Sequence, residues 1–371
     1  MTPLLRKFLG FHWPLVLITL VLSVFGMVAI YASCAWRNDP SYYWRRQSVW
    51  LAAGVVVFVV TSLIDYRWVK WGALPIYVFT VLLLAFTLVV AKPINGAKNW
   101  ISLGSGVTIE PSQFAVLSGV LTLALFLSKF SAMHGGLRVL CCAAICGAPC
   151  MLILAAHNLG ETLVWIPVLL AMLFIGGLQL RYLIALGLAG IGFIPLMVNF
   201  GLKHYQRGRI TAFLDPDLDP TGSGWGLKQS LIAIGSGGWQ GKGLARTDTQ
   251  VDLGFIPKDE THTDYIFVTI GERWGFIGGV VLVCVFAALL LMCLHAAWCS
   301  SDYLGLLMVT GIVALLFFHI FQNIGMVIQL MPITGLPLPL ISYSGTFALT
   351  VMFALGLVNS VWVHRKELPQ F

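Results

Sequence analysis

The sequence predicts an all-α, polytopic integral membrane protein with about ten transmembrane helices and one large extracytoplasmic loop. Two features of the composition support this prediction: the 371 residues are 58% hydrophobic and only 10% charged, whereas soluble domains contain about 25% charged residues. The third feature is that apolar runs of about 20 residues, which span a bilayer as helices, recur along a chain of mean hydropathy +0.89. These features exclude a soluble enzyme.

Ten apolar runs are long enough to cross a membrane, and we assign them to a single domain that covers residues 1–371. The first run follows Arg6 and Lys7 and is longer than the apolar part of a cleaved signal peptide, so we expect it to remain as a helix. The polar breaks are short except for a loop at 203–264, which holds eight of the fifteen acidic side chains. The predicted spans are 13–33, 47–64, 71–91, 112–130, 137–156, 159–178, 182–202, 265–297, 304–330 and 341–363.

The distribution of basic residues predicts the orientation of these spans. With the N-terminus inside, nine Lys and Arg residues of the short segments are cytoplasmic and five lie outside, and a bias of this kind orients multi-pass proteins. We therefore expect both termini in the cytoplasm and the large loop outside. The net charge of +7 is then explained by loop residues that meet anionic membrane lipids. Basic patches interleaved with aromatic side chains, typical of nucleic-acid-binding proteins, are not seen in the sequence, so we expect no nucleic-acid partner.

A dense group of ionisable side chains closes the large loop, where the chain enters the eighth predicted span. Lys258, Asp259, Glu260, His262 and Asp264 fall within seven residues. The Asp264 carboxylate has two compatible interpretations: it caps the N-terminus of the following helix, or it acts as a general base whose pKa is set by burial and nearby cations. His262 either tunes Asp264 or lies at the surface, and the surface position is the commoner interpretation.

Three segments of the large loop have characteristic patterns. Residues 215–222 alternate Asp with Pro and predict turns, and they lack the Gly and the closing Glu of a calcium-binding loop. Residues 229–234 predict a short amphipathic helix at the membrane interface. The Gly-rich segment 235–243 fails as a phosphate-binding P-loop, because Gly243 follows Lys242 where Ser or Thr is required. Its backbone N–H groups and Lys242 either cradle a pyrophosphate or belong to a flexible turn.

Polar groups elsewhere predict a cavity near the outer leaflet. Asn158 and Glu161 interrupt the apolar stretch between the fifth and sixth spans, and such groups face a protein interior or a cavity. Gln113 opens the fourth span after a polar outer loop at Asn95–Ser112. A Pro-rich but apolar segment at 331–345 cannot continue a helix. We expect it to dip back into the outer membrane face as a wall of the same cavity.

Several of these segments resemble the SEDS family (shape, elongation, division and sporulation) of the RodA/FtsW type, and the resemblance covers nearly the whole chain. Members of this family are peptidoglycan glycosyltransferases that polymerise lipid II. The resemblance therefore implies ten spans and an active cavity on the outer face of the bacterial cytoplasmic (inner) membrane, in cell elongation or division. It is strongest in Asp215–Gly224, in Gln229–Gly238, in His262–Phe267 with Gly271 and Glu272, and in Asn323–Gly345.

The resemblance also implies residue roles and partners. The Asp of the family's H-T-D motif is its proposed catalytic residue and matches Asp264, so the resemblance favours a general base over a helix cap. It implies lipid II as substrate and a class B penicillin-binding protein, a transpeptidase, as partner. A divalent cation, Mg²⁺ or Mn²⁺, could share the stabilisation of the leaving pyrophosphate. We expect substrate-binding roles for Lys242, Arg246, Lys258, Gln229, Ser230, Glu272, Gln113 and Asn158, with Arg207 and Arg209 as further cations for the pyrophosphate.

Four positions depart from the family pattern, which usually has Arg, Glu, Lys and Asp where this chain has Asn99, Gln113, Val116 and Asn158. Joint loss of the Glu and the Lys is compatible with a stable fold, because replacing both members of an ion pair is often nearly neutral. Two other functions therefore stay open. One is a flippase for the lipid-linked precursor, which needs a polar route through both leaflets. The other is a non-catalytic scaffold that holds or activates the transpeptidase.

Overall fold

The computed structural model describes residues 3–37, 39–93, 97–102, 104, 108–196, 204–218, 222–244 and 246–365, and it confirms the predicted all-α, multi-pass membrane fold. Eight of the described helices are long and apolar enough to span a membrane, and Leu159–Ile175 and Leu180–Gly192 are shorter apolar helices. Two short strands, β1 (Ile101–Ser102) and β2 (Thr108–Ile109), pair antiparallel. The helices are α1 (Pro3–Leu9), α2 (Trp13–Ser33), α3 (Ser41–Leu63), α4 (Val69–Val90), α5 (Pro111–Lys129), α6 (Gly135–Ala155), α7 (Leu159–Ile175), α8 (Leu180–Leu196), α9 (His204–Leu214), α10 (Ser223–Ser236), α11 (Ile266–Trp298), α12 (Tyr303–Val327) and α13 (Gly345–Val363).

The helix boundaries match the predicted spans at some ends and differ at others. The first predicted span, 13–33, coincides with α2. The second is predicted from 47, but α3 begins at Ser41 directly after Pro40, because the polar residues that follow the proline still form helical turns. The last is predicted from 341, yet α13 begins at Gly345, because the backbone of Ser344 is extended, with φ −165° and ψ 114°, which a helix cannot contain. Residues 197–203, at the end of the predicted span 182–202 and the start of the large loop, and residues 219–221 of the predicted turns lie outside the described residues.

The loops between the long helices gather at two ends of the bundle. At one end Tyr66, which follows α3, donates through its hydroxyl to Asp302, which precedes α12, at 2.7 Å. At the opposite end the N–H of Tyr343, just before α13, donates to the His262 carbonyl, just before α11, at 2.9 Å. We call this second end the cavity end. The interior between the two ends is formed mainly by α5, α12 and α13, which are far more buried than α4.

The long helix α11 bends where the large loop packs against it. Gly275 within α11 has φ 67° and ψ −164°, a conformation that glycine adopts at little steric cost. The Gly-rich segment 235–243 lies against this bend, because the N–H of Phe276 donates to the Gly238 carbonyl at 2.8 Å. The predicted short helix 229–234 is the middle of α10, which extends it at both ends. α10 and α11 thus form one packed unit beside the cavity end.

Candidate active site

A cavity of about 670 Å³ lies at the cavity end of the bundle, as the sequence predicts. It is lined by the starts of α3, α5, α7 and α13, by α9, by the loop before α11 and by the Pro-rich segment at 333–337. The predicted role of this segment as a cavity wall is therefore confirmed. Protein groups satisfy its irregular backbone, as where Gln322 Nε2 donates to the Pro332 carbonyl at 2.7 Å. Irregular backbone at membrane depth is stable in such surroundings.

Asp264 lies on the wall of this cavity, in a loop that is fixed from α12 and from the Pro-rich segment. The side chain of Asn323 in α12 donates through Nδ2 to the Asp264 carbonyl at 3.0 Å and to the Leu336 carbonyl at 2.8 Å. Ser342 Oγ donates to the Thr263 carbonyl at 2.6 Å. These bonds hold the backbone of Asp264 and of its neighbour, so the carboxylate projects from a rigid support. A functional group on a rigid support needs little reorganisation before it reacts.

The Asp264 carboxylate does not cap α11, so the capping interpretation is not supported. The N-cap residue of this helix is Tyr265 rather than Asp264, and the Tyr265 side chain makes no cap hydrogen bond. One carboxylate oxygen of Asp264 instead lies next to Gly335, where a Cβ atom would come within 3.1 Å of it. Gly335 also has a φ of 74°, which favours glycine at this position. The glycine therefore allows the Pro-rich segment to approach the carboxylate closely.

Burial raises the pKa of Asp264 to about 7, and the negative charge of Glu260 adds to the rise. The positive charge of Arg209 and the hydroxyl of Thr263 act in the opposite direction. A carboxylate that titrates near neutral pH is a stronger base than an ordinary Asp and is still ionised in a large share of the molecules. The Asp264 site therefore has the proton affinity that a general base requires at physiological pH.

His262 is buried, so the expected surface position is wrong. Its ring stacks on that of Tyr43 in α3, with the ring centroids 3.8 Å apart. Burial, and after it the charge of Arg37, lowers the pKa of His262 to about 4, so the ring is neutral at pH 7. This neutral ring packs the loop that carries Asp264 against α3.

A second group of polar side chains on the cavity wall joins α5 to α7. Gln113 Nε2 donates to one carboxylate oxygen of Glu110 at 2.7 Å, and Asn158 Nδ2 donates to the other at 3.1 Å. Asn158 also caps α7, because its Oδ1 accepts from the Glu161 N–H at 3.2 Å. We call Glu110, Gln113 and Asn158 the carboxylate–amide cluster. Two positions that depart from the resembled family thus hold amides that bind a neighbouring carboxylate.

Two arginines bring positive charge to the same cavity, Arg46 from α3 and Arg209 from α9. Arg209 is one of the cations predicted from the sequence. Arg46 is one of the five basic residues counted above on the outer side of the short segments, and the charge of a loop residue does not show whether its side chain turns toward a cavity. What places Arg46 beside the cavity is its position in α3, which begins at Ser41, before the apolar run predicted from 47.

Two predicted substrate-binding residues form a buried ion pair away from the cavity wall. Lys242 Nζ lies 2.7 Å from Glu272 Oε1, and the Glu272 side chain is fully buried. The same carboxylate accepts from the N–H groups of Gln250 at 2.6 Å and Val251 at 3.2 Å. The backbone N–H groups of Lys242 and Gly243 are bonded to carbonyls of α11. These bonds hold the Gly-rich segment in place, so it is not a flexible turn. The N–H groups of Lys242 and Gly243 are already bonded and are not free to bind a pyrophosphate.

The other predicted residues of the large loop also lie away from the cavity wall. Arg246 forms an exposed ion pair with Asp248, and Lys258 Nζ lies 5.2 Å from the ring centroid of Trp36. Gln229 and Ser230 lie within α10. Of all the residues predicted to form the site, those that the structure brings together at the cavity are Asp264, Gln113, Asn158 and Arg209.

Among the described residues, no group of three or more His, Cys, Asp or Glu side chains is arranged to hold a metal ion. An ion that meets a pyrophosphate needs fewer protein ligands, because Mg²⁺ keeps several waters and binds one or two carboxylates together with phosphate oxygens. Glu260 lines the cavity beside Asp264 and supplies the oxygen chemistry that such an ion prefers.

Comparisons with known sequences find relatives over nearly the whole chain. The model of the FtsW/RodA/SpoVE family, described as "Cell cycle protein", matches residues 12–367. The peptidoglycan glycosyltransferase MrdB of Escherichia coli (strain K12) is 32% identical over 360 residues, which cover 96% of this chain and 94% of MrdB. The peptidoglycan glycosyltransferase RodA of Treponema pallidum (strain Nichols) is 31% identical, with 96% of this chain and 98% of the relative covered.

Two solved structures share the fold. A chain from a structure described as "Structural coordination of polymerization and crosslinking by a peptidoglycan synthase complex" is 29% identical with a TM-score of 0.80, covering 96% of this chain and 99% of the other. The rod shape determining protein RodA of Thermus thermophilus is 27% identical with a TM-score of 0.72, covering 96% of this chain and 98% of RodA. The overall arrangement of the helices is therefore shared with both structures.

Proposed function

The chain belongs to the FtsW/RodA/SpoVE family of cell cycle proteins, and we propose that it is a peptidoglycan glycosyltransferase that polymerises lipid II into glycan strands. The observation that carries this proposal is the Asp264 carboxylate, which faces a cavity of about 670 Å³ and whose pKa burial raises to about 7. Relatives that match 96% of this chain are named as peptidoglycan glycosyltransferases, which supports the same activity here.

In the proposed reaction Asp264 is the general base. It takes the proton from a hydroxyl group of the acceptor sugar while that oxygen forms a bond to the anomeric carbon of the donor. The bond between this carbon and the polyprenyl pyrophosphate breaks, and the anomeric carbon is inverted. General-base catalysis of this kind is typically worth about 10²–10⁴-fold in rate.

The leaving pyrophosphate requires positive charge, and Arg46 and Arg209 are well placed to supply it from the cavity wall. Fixed cations in a cavity stabilise charge that develops during bond cleavage without reorganising in that step. A bound Mg²⁺ or Mn²⁺, with Glu260 as its protein ligand, would add to this stabilisation. The polar side chains of Gln113 and Asn158 line the same cavity and belong to the part that receives the sugars.

We place the cavity at the outer face of a bacterial cytoplasmic membrane, with both termini in the cytoplasm. The support is the excess of Lys and Arg in the short segments at the opposite end of the bundle, nine against five in the short loops at the cavity end. Such an excess in short loops marks the cytoplasmic side of multi-pass proteins. Lipid II would then enter from the outer leaflet, and the glycan product would leave on the side where the cell wall is built. This position suits a role in cell elongation or division.

The proposed partner is a class B penicillin-binding protein, which is a transpeptidase. The structural relative with a TM-score of 0.80 belongs to a peptidoglycan synthase complex that coordinates polymerization and crosslinking. Polymerisation is the reaction proposed for the present chain. A transpeptidase supplies crosslinking, so the two proteins together would complete the synthesis.

A non-catalytic scaffold is the competing function, because positions 99, 113, 116 and 158 depart from the family pattern. The departures at Gln113 and Asn158 are not simple losses, since both side chains bind the Glu110 carboxylate. A flippase has less support, because it needs polar groups along a route through both leaflets and the cavity described above lies at one end of the bundle. An enzyme therefore agrees best with the geometry.

The test is polymer formation by the purified chain on labelled lipid II, with and without a class B transpeptidase, beside the variant Asp264→Asn. We expect glycan polymer from the wild type and a loss of at least about 10²-fold in rate in the variant, because Asn cannot accept the proton. Equal thermal unfolding midpoints would show that both proteins are folded. Equal polymer formation by the two proteins contradicts the proposed role of Asp264, and no polymer from either, even with the transpeptidase, favours the scaffold.

A further inference from the structure

Glu110 is a carboxylate on the cavity wall that is held in one orientation from two helices. Gln113 in α5 and Asn158 at the start of α7 each donate to one of its two oxygens. Both donors are neutral amides, so these bonds fix the group without cancelling its charge. A carboxylate has about four acceptor positions, and the two amides occupy two of them. The Ser112 hydroxyl also interacts with this carboxyl group, and Glu110 still lines the cavity, where it can accept a further hydrogen bond.

The orientation of the amides also determines what the wall presents. Because Gln113 Nε2 points toward Glu110, Gln113 Oε1 must point away from it, and this oxygen is buried without a hydrogen-bond partner among the described residues. Oδ1 of Asn99, a residue of the same cavity wall, is also buried without a hydrogen-bond partner among the described residues. Buried acceptors of this kind are costly unless a ligand or water donates to them. Neither oxygen is exposed to the cavity, and Gln113 also interacts with the buried Glu161 carboxyl group. The group of this cluster that a ligand can reach is therefore the Glu110 carboxyl group, which lines the cavity.

Of the groups in a lipid-linked sugar, hydroxyl and amide groups can donate hydrogen bonds, whereas a pyrophosphate offers oxygens that only accept. Glu110 offers acceptors to the hydroxyl groups of a sugar ring, whereas a pyrophosphate, which only accepts, cannot bond to them. The positive charge that suits a pyrophosphate comes instead from Arg46 and Arg209. The cavity thus has one part suited to a sugar and other groups suited to a phosphate.

We propose that Glu110, held by Gln113 and Asn158, binds hydroxyl groups of the acceptor sugar and so determines where that sugar lies relative to Asp264. The identity of the sugar rests on the proposed function, whereas the role of Glu110 rests on its own contacts. Glu110 and Asp264 line one cavity. Burial raises the pKa of Glu110, and the charge of Asp264 raises it further, which places the two carboxyl groups within electrostatic range. A sugar whose hydroxyl faces Asp264 can then present its other hydroxyls to Glu110.

The variant Glu110→Gln separates this role from a purely structural one. The new amide keeps a bond to each partner, because its Oε1 accepts from Asn158 and its Nε2 donates to Gln113 Oε1 once the Gln113 amide turns over. The cluster therefore stays intact while the charged acceptor is lost from the cavity. Asp259→Asn is the matched control, because Asp259 also lines the cavity but is an exposed residue outside the cluster.

The experiment measures binding of fluorescent lipid II to the full chain in detergent, with all proteins carrying Asp264→Asn so that no turnover occurs. We expect Glu110→Gln to weaken binding about tenfold or more, since a hydrogen bond to a charged group is lost, and Asp259→Asn to change it less than about twofold. Equal unfolding midpoints show that the cluster is intact. If Glu110→Gln lowers the midpoint, its affinity is compared with that of Glu110→Asp, which keeps the carboxyl group and should bind lipid II more tightly than Glu110→Gln. The proposal is overturned if Glu110→Gln binds lipid II as tightly as the parental protein, or if Asp259→Asn loses as much affinity as Glu110→Gln.

Polymerisation by the wild type is assayed separately. If the wild type makes polymer but Glu110→Gln does not change the affinity for lipid II, the role of Glu110 is refuted and the proposed function is not.

Discussion

Asp264 combines burial with ionisation at neutral pH, although burial normally disfavours a charged carboxylate. Arg209 and the Thr263 hydroxyl oppose the effect of burial, and the resulting pKa is about 7. Thr263 belongs to the H-T-D motif, but the influence of Arg209 is not visible in it. Arg209 is more than fifty positions away along the chain, so the chemistry of this residue depends on how the large loop folds over the cavity.

At the scale of residues, the pair Lys242–Glu272 tests whether the Gly-rich segment has a structural role. Glu272→Ala leaves the Lys242 charge unpaired and removes the acceptor of the Gln250 and Val251 N–H groups. We expect it to lower the free energy of unfolding by about 3–5 kcal/mol. Lys242→Ala leaves Glu272 with its backbone donors, so the loss should be smaller. Thermal unfolding of the purified variants measures both changes.

Arg246→Ala is the control for these two variants, because its ion pair with Asp248 is largely exposed and such pairs are worth less than about 1 kcal/mol. If Lys242 contacted the substrate instead, Lys242→Ala would reduce polymerisation and leave the unfolding midpoint unchanged. That outcome would contradict the structural role of the pair.

Some site residues could be predicted from the sequence because each is an unusual residue in its own segment. Asp264 stands at the entrance of an apolar helix, and Asn158 interrupts an apolar stretch. Lys242 could not be assigned in the same way, because its partner Glu272 is 30 positions away and spacing alone does not reveal long-range pairs. Glu110 was visible as a charged residue, but its bonds to Gln113 and Asn158 depend on the packing of α5 against α7.

At the scale of elements, the contact between the Gly-rich segment and the bend in α11 depends on two glycines. Gly275 and Gly241 both have positive φ and face each other, so that a Cβ on Gly241 would overlap the Arg273 carbonyl oxygen. Gly243 also has positive φ, 81°, but a Cβ there would meet nothing within 4 Å. Gly241 and Gly243 therefore both have a positive φ, but only Gly241 is crowded by neighbouring backbone.

We expect Gly241→Ala to destabilise the protein by clearly more than Gly243→Ala. The second change costs only the left-handed conformation of an Ala, about 1–2 kcal/mol, whereas the first also displaces the backbone of α11. Unfolding midpoints of the two variants, measured side by side, give the comparison. Equal midpoints would contradict the close approach at the bend.

Hydropathy predicts the long helices because each must hide its backbone polar groups from lipid. It does not predict where α3 begins or where α13 begins, since the first extends through polar residues and the second starts only after the extended backbone of Ser344. The Pro-rich segment could be predicted as a cavity wall for a specific reason: it is too apolar for an exposed loop and contains prolines that exclude a helix.

At the scale of the whole molecule, the two ends of the bundle differ in chemistry. The cavity end holds Asp264, the carboxylate–amide cluster and the two arginines around one cavity, whereas the interior formed by α5, α12 and α13 is largely apolar. An enzyme that works at one membrane face needs this asymmetry. The fold that places these groups is shared with two solved structures, whose matches cover 96% of the chain.

A fall in activity at low pH must be distinguished from acid unfolding. The folded-state pKa of Asp264, about 7, lies above the value of about 3.9 for an unfolded Asp, so the folded protein binds this proton more tightly. The contribution of Asp264 to stability therefore decreases as the pH rises from about 4 to about 7. Acid does not destabilise the fold through this residue, and a midpoint of unfolding at each pH provides the control.

The most direct measurement of the central claim is the pH dependence of lipid II polymerisation by the purified chain between about pH 5 and pH 9. Asp264 must be ionised to accept a proton, so we predict a rate that rises about tenfold per unit below pH 7 and levels off above it, as for a single base. The variant Asp264→Asn should show only a low, flat background. A wild-type rate that stays constant across this range would contradict a buried Asp264 as the general base, because an ordinary Asp is fully ionised throughout.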